Sequence, residues 1–179
     1  MDFIRTAGRE ASTRLAQERG PFPAWAESIY PGLGVGPLRN ATVTTIAPTG
    51  TLSILAGCSS GIEPLFALSF ARNVMDGERL IEVNPHFERA LAEAGLHSAE
   101  LAEKVSRQGS VRALEEVLAA LRRVFVTALD IAPEWHLRMQ AAFQRHTDNA
   151  VSKTVNLPHS ATVEDIRSIY RMACAEGCK

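Results

Sequence analysis

The chain has 179 residues, 46% of them hydrophobic, which suits one globular domain with a sizeable core. Its 19 Lys and Arg stand against 20 Asp and Glu, a formal net charge of −1, so composition offers no footprint for nucleic acid or an anionic membrane. The opening "MDFIRTAGRE" has no apolar run behind a basic start, and no stretch is apolar for long enough to cross a bilayer, so neither a secretory signal nor a span is expected and a cytoplasmic location is.

Residues 2–19 place Ile4, Ala7, Ala11, Leu15 and Ala16 near helical spacing and predict an amphipathic helix that "RGPFP" ends. A short helical turn is expected over Ala24–Ile29, then a loop at "PGLGVGPL". Residues 41–47 alternate in β-rich fashion and predict a strand, and helical pattern resumes over Thr51–Leu55. "LFALSFARNV" and "ERLIEVN" read as partner strands around a turn at "MDG". Asn84 is placed to cap a helix with Pro85 in its first turn, running to Ala94 and stopped by Gly95.

Helices are expected next over 98–107 and 111–126, with interspersed charges that mark solvated faces. A further helix spans 132–149, where Trp135, Met139, Ala142 and Phe143 form a packing set. "AVSKTVNLP" (150–158) alternates like a strand, and the last helix has Thr162 as its cap, acids in its first turn and Gly177 at its end. Helices alternating with buried strands predict an α/β fold. Only two or three β/α units are evident, few for a closed barrel, so the chain reads as part of something larger.

The residues "TTIAPTGTLSILAGCSSGIEP" (44–64) hold the strongest chemical signal. A strand stopped by Pro48 meets a helix start, whose first amides lack intrahelical partners and carry partial positive charge. Gly50 permits close approach, the amides of Gly50, Thr51, Leu52 and Ser53 can converge on one anion, and Thr49, Thr51 and Ser53 add hydroxyls. No lysine is present, unlike a Walker A loop, so such a cradle would position a phosphate rather than drive triphosphate chemistry. The same residues also suit an ordinary strand-to-helix turn with a capping Thr.

Other candidates carry weaker signals. The three cysteines, Cys58, Cys174 and Cys178, do not make a disulfide scaffold. Cys174 and Cys178 are spaced wider than a redox C-x-x-C pair and have no histidine nearby, so no metal site is expected and they read as small half-buried residues. Glu63 can orient a loop near a ligand, although satisfying the turn before Pro64 is the favoured reading. His136 and His146 lie ten apart, share no helix face, and read as capping or surface residues. Ser152, Lys153, Thr154 and Asn156, at a strand end, are candidates for an active-site wall.

The stretch "RNATVTTIAPTGTLSILAGCSSGIEPLFALSFARNV" strongly resembles the late catalytic-domain segment of class II, adenosylcobalamin-dependent ribonucleotide reductases. The likeness extends through "EASTRLAQERGPFPAWAESIY", "ERLIEVNPHFERAL", "DIAPEWHLRMQAAFQRHTDNAVSKTVNLP" and "ATVEDIRSIYRMACAEGCK", close to the whole chain. "PTGTLS" and "SGIEP" also resemble the aerobic two-subunit reductases, while "PTGT" together with "DNAVSKTVN" favours the cobalamin class. The resemblance implies part of a ten-stranded α/β barrel of the ribonucleotide reductase and glycyl-radical type, built from two antiparallel five-stranded halves with helices packed outside the strands. It implies that residues 1–179 are a carboxy-terminal portion of that barrel domain and that Thr49–Ser53 cradle the phosphate of a ribonucleotide substrate, with a leaning towards diphosphates.

The implied reaction replaces the ribose 2′-hydroxyl with hydrogen through a cysteine thiyl radical generated with adenosylcobalamin, the cofactor carrying the hard step. The radical-cysteine motif Asn-Pro-Cys-Gly-Glu is absent here, so no catalytic residue is assigned to this chain. Nor does the sequence show the Gly-Ile-Thr-Val-Tyr-Arg continuation or the cysteine tail re-reduced by thioredoxin-like donors, and the tail's role is not transferred to Cys174 and Cys178. The chain alone is expected to bind no adenosylcobalamin and to be inactive. Its implied partners are the rest of the reductase chain or a complementary split chain. The alternatives are a non-catalytic piece or remnant that acts only by assembly, and a free-standing phosphate-binding domain.

Overall fold

The computed structural model describes residues 1–73 and 79–179. In chain order these form α1 (Asp2–Arg19), a 3-10 turn (Trp25–Glu27), α2 (Ile29–Gly32), α3 (Gly50–Ala56), β1 (Ser69–Asn73), β2 (Arg79–Val83), α4 (Pro85–Glu93), α5 (Ala99–Gln108), α6 (Ala119–Val124), a second 3-10 turn (Ala128–Asp130), α7 (Pro133–Gln144) and α8 (Val163–Ala175). The chain divides into two compact units. One comprises Met1–Ile62, His136–Lys153 and Thr162–Lys179, the other Glu63–Trp135 and Thr154–Ala161.

Local chemistry explains the well-matched elements. Asn84 Oδ1 accepts from the amides of His86 and Phe87 at 3.0 and 3.2 Å, which starts α4. Gly95 then takes φ +70°, where a Cβ would be strained. Thr162 and Asp165 form a reciprocal capping box on α8. β1 and β2 pair antiparallel, Ser69 opposite Val83 and Asn73 opposite Arg79, as two partner strands should. The "MDG" turn expected between them lies outside the described residues.

Three expectations are corrected. The strands at 41–47 and 150–158 are extended segments joined by one parallel bridge, Ile46 to Val151. Among the described residues, the β structure is that bridge and the β1–β2 pair, and they do not by themselves make a barrel. The reason is visible in the hydrogen bonds: side chains take backbone groups that a ladder would use, as when Val43 N donates to Asp148 Oδ2 and Asp148 N to Thr44 Oγ1, both at 2.9 Å. Second, 111–126 is not one helix. Val111, Leu114 and Val117 are buried at every third residue through i to i+3 turns, and α6 begins only at Ala119. Third, Pro31 and Gly32 belong to α2, whose cap Ser28 accepts from Tyr30 N, so the glycine-rich loop starts at Leu33.

The second unit holds a hydrophobic core of Leu68, Phe87, Leu91, Leu101, Val105, Val111, Leu114 and Val117. α5, expected to present a solvated face, contributes Leu101 and Val105 to it on its other side. Phe125 sets its ring edge-on to Phe87 with centroids 5.0 Å apart. Leu68 N donates to Gly109 O at 3.3 Å and Asn84 N to Leu68 O at 2.8 Å, pinning the β1 side of the core.

In the first unit, α1 packs through small residues. Ser12 and Ala16 are the buried positions of α1. Ser12 Oγ accepts from Asn40 N and Ser12 O from Arg39 N, each at 3.0 Å. A Cβ on Gly8 would meet Val43 Cγ2 at 3.2 Å, so glycine there lets the helix lie against the extended segment. α7 also differs from expectation. Trp135 and Met139 are exposed, and the helix buries His136, Leu137, Ala141 and Gln144. Phe87 is fully enclosed, so Phe87→Ala should destabilise the chain by about 3–5 kcal/mol in urea unfolding.

Candidate functional site

The site lies in the first unit, where the segment 42–47 enters the turn before α3. A set of hydrogen bonds from 148–152 determines where that segment ends. Asn149 N donates to Thr44 O at 3.1 Å, and Ser152 N donates to Ile46 O at 2.8 Å. Asn149 Nδ2 reaches Thr42 Oγ1 at 3.2 Å, and Gln140 Nε2 of α7 holds Val151 O at 3.1 Å.

Asp148 is the hub of this set. Its side chain is only 6% exposed, and Oδ1 takes the Arg9 guanidinium of α1 at 2.7 Å while Oδ2 takes the Val43 amide. Burial alone would raise its pKa, but the Val43 amide and the Arg9 charge outweigh it and hold the carboxyl below its ordinary value. Arg9 carried no signal in the sequence, and Asp148 and Gly61 entered it only within the motifs "DNAVSKTVN" and "SGIEP", with no role of their own. Each is an ordinary residue whose role comes from partners more than ten positions away.

The turn itself is unusual. Thr49, the N-cap of α3, has φ +51° and ψ 29°, the left-handed region that a β-branched residue seldom occupies. Its side chain does not cap the helix; Oγ1 accepts from Gly61 N at 2.9 Å. Gly61 itself has φ +51°, and a Cβ there would lie 3.2 Å from Ala47 O, so the two loops close on each other only with glycine at 61. Such a backbone costs on the order of 1–3 kcal/mol and persists only when its surroundings impose it.

α3 starts at Gly50, so the amides of Gly50, Thr51 and Leu52 have no intrahelical acceptor. The three residues are exposed. Ser53 is placed differently: its amide makes the first helical bond to Thr49 O at 2.9 Å, and its hydroxyl donates to Gly50 O at 2.7 Å. It therefore fixes the turn rather than presenting donors. The helix closes at Gly57, φ +62°, with Cys58 N donating back to Ser53 O at 3.0 Å.

The wall candidates separate. Ser152 and Lys153 belong to the first unit, Thr154 and Asn156 to the second. Ser152 is half-buried and its amide serves the Ile46 bond. Lys153 Nζ lies 2.9 Å from Nδ1 of His136, which is 1% exposed. His136 is thus an interior residue, not the capping or surface residue expected. His146, partly exposed, has Nδ1 3.2 Å from Asp2 Oδ1. Within the second unit, Thr154 N donates to Glu63 Oε1 at 2.6 Å, so Glu63 secures a segment 91 residues away instead of only its own turn. Asn156 is half-buried.

All three cysteines are free; Cys58 and Cys174 are exposed, and burial together with Glu176 pushes the Cys178 thiol up. No group of three metal-ligating side chains occurs among the described residues. No helix among them is long and apolar enough to cross a membrane.

A family model described as the barrel domain of ribonucleotide reductase matches residues 33–179. The chain is 50% identical over its full length to a vitamin B12-dependent ribonucleoside-diphosphate reductase of Thermoplasma acidophilum, covering 23% of that protein. It is 52% identical over 170 residues, 95% of the chain, to a protein of the same name from Mycobacterium tuberculosis, covering 24% of it. The chain thus spans about a quarter of the length of these curated relatives. Among solved structures it is similar to the class Id ribonucleotide reductase alpha subunit of Actinobacillus ureae, with a TM-score of 0.77 and 27% identity, over 99% of this chain and 31% of that one.

Replacing Asp148 with Asn should cost about 1–3 kcal/mol at neutral pH in chemical unfolding, because the Val43 amide and Arg9 lose a charged acceptor. The folded carboxyl titrates below its unfolded value of about 3.9, so its contribution is complete above that pH and fades as acid takes the pH down through the folded value. The gap between wild type and Asp148→Asn should therefore narrow below pH about 4.

Proposed function

Because the chain belongs to the ribonucleotide reductase barrel-domain family, we propose that it is the part of a cobalamin-dependent ribonucleoside-diphosphate reductase that seats the substrate's phosphate and contributes barrel wall. The names of the relatives support the class, the cofactor and the diphosphate substrate. The observation that carries the phosphate role is the left-handed Thr49 at the entry to α3, which the Gly61 amide holds in place. A strained residue retained at a helix start is characteristic of a binding turn.

In this reading the amides of Gly50, Thr51 and Leu52 and the hydroxyls of Thr49 and Thr51 donate to phosphate oxygens. Thr49 Oγ1 already accepts from Gly61, which leaves its own proton for the ligand. Ser53 braces the turn from behind. All the donors are neutral, so the phosphate is oriented rather than gripped, and the ribose is directed to chemistry performed elsewhere in the enzyme. Ser152 and Lys153 follow the Ile46 bridge and remain proposed wall residues; Thr154 and Asn156 are proposed for the same role.

When bound, adenosylcobalamin supplies radical initiation to the whole enzyme. A corrin ring calls for a broad apolar recess. The open recess bordered by Arg112, Arg122, Arg123 and Asp130 sets four charged residues at its wall and does not fit it. No step is assigned to the cofactor through this chain's residues, and none of its cysteines is proposed to carry the radical or the thioredoxin-linked exchange.

Leu52, Ile54 and Leu55 of α3 are 64%, 81% and 80% exposed, which favours a chain that works in assembly with the remaining reductase sequence or a complementary chain. The purified chain with adenosylcobalamin, ribonucleoside diphosphate and a dithiol should form no deoxynucleotide, and clear turnover would refute the assembly reading. Mixed with an amino-terminal reductase segment bearing the radical cysteine, it should regain activity. At Gly50 a Cβ meets nothing within 4 Å and φ is not positive, so Gly50→Ala should leave the melting temperature unchanged. In the reconstituted mixture it should raise KM for the diphosphate roughly tenfold by crowding a phosphate contact worth about 1.4 kcal/mol. An unaltered KM would remove Gly50 from the cradle.

A further inference from the structure

The second unit carries a cavity of about 700 Å³, open to solvent, bounded by Arg112, Ala119, Arg122, Arg123, Val126 and Asp130. A neighbouring hollow of about 460 Å³ shares Arg112 and Asp130 with it. We propose that the three arginines form a binding site for a diphosphate or longer phosphate anion, a role independent of the turn at Thr49–Ser53.

Charge is the first reason. Three arginines border one cavity, and like charges on one wall repel, a repulsion that a bound anion would relieve. Some arginines elsewhere have carboxylates, Arg5 with Asp2, Arg9 with Asp148, Arg107 with Glu103 and Arg167 with Glu164, while others, such as Arg14 and Arg39, make no ion pair among the described residues. Arg112, Arg122 and Arg123 make no ion pair among the described residues. Asp130 is the carboxylate at the cavity, but its Oδ2 already accepts from Ser110 Oγ at 2.7 Å, Thr127 N at 2.8 Å and Thr127 Oγ1 at 2.9 Å. It serves the turn at 127–130 and leaves a net positive cavity.

Orientation is the second reason. Arg112 Nη1 donates to the Asp130 carbonyl, and Arg122 Nη1 donates to the Arg112 carbonyl at 3.4 Å. Arg122 Nε is enclosed and has no acceptor among the described residues. Each side chain is therefore held by one bond to the backbone, and its second terminal nitrogen has no acceptor among the described residues. A pair of held, planar forks matches the geometry of phosphoryl oxygens better than mobile lysines would. The macrodipole of α6 accounts for Arg122 and Arg123 in its last turn, but it does not account for Arg112, which comes from the turns after α5. Ala119 and Val126 add apolar surface to the cavity beside the charged residues.

The test uses residue-resolved NMR of the whole chain titrated with inorganic pyrophosphate at low ionic strength. Saturable shifts should appear at Arg112, Arg122, Arg123 and residues 119–126, and should weaken as salt is added. Arg123 is exposed and makes no hydrogen bond or ion pair among the described residues, so Arg123→Glu should keep its melting temperature while weakening that binding at least tenfold; Arg112→Gln provides a second variant that keeps a donor but removes the charge. Titration with ADP separates the two sources of such an anion. Tighter binding than pyrophosphate would place a nucleoside against Ala119 and Val126, equal affinity would assign the site to phosphate alone, and both support it. Shifts that never saturate, or an affinity equal in wild type and Arg123→Glu, would overturn the proposal.

Discussion

The carboxylate of Asp148 is the contact on which the first unit turns. One oxygen holds Arg9 of α1 and the other holds the Val43 amide, while the Asp148 amide donates to Thr44. Three segments far apart in sequence are thereby set in register at a single, nearly buried charge. Without that register, Ile46 would not meet Val151, and the turn two residues later would have no defined place. A carboxylate suits this task because it accepts several hydrogen bonds at once and is worth more when each is charge-assisted.

From that register the turn acquires its strain. Ala47 O presses against the Cα face of Gly61, whose amide in turn holds Thr49 Oγ1. The left-handed threonine is thus the end of a chain of constraints that starts at Asp148. Strain of this kind is tolerated where a backbone must present its amides outward, and α3, with no buried residue, presents its first turn outward. α3 has no buried residue, and the bond from Gly61 N to Thr49 Oγ1 ties its start to the following loop.

The second unit is stabilised differently. It has an aliphatic core with an aromatic pair, built on period-three turns at 111–117 as much as on helices. That core supports the arginine-lined cavity, since Val111 and Val117 are buried while the intervening Arg112 and the following α6 stay at the surface. The two proposed anion sites therefore differ in kind, one of neutral backbone amides and one of guanidinium groups. The first orients by geometry and is little affected by salt, whereas the second attracts by charge and is screened.

Local signals in the sequence determined most of the helices. Asn84 with Pro85, and Thr162 with the acids after it, mark starts, and Gly95 and Gly177 mark ends, because capping is a matter of neighbouring residues. The same locality made the Thr49–Ser53 turn legible, along with the family likeness that the barrel-domain match bears out. The tertiary structure alone decided that 41–47 and 150–158 meet at one bridge, that His136 lies inside against Lys153, and that Ser53 braces the turn instead of offering donors. It also decided which face α7 buries and that 111–118 does not join α6. Each of these depends on partners distant along the chain competing for the same backbone groups and apolar faces. Periodicity within a window of a dozen residues cannot register that competition.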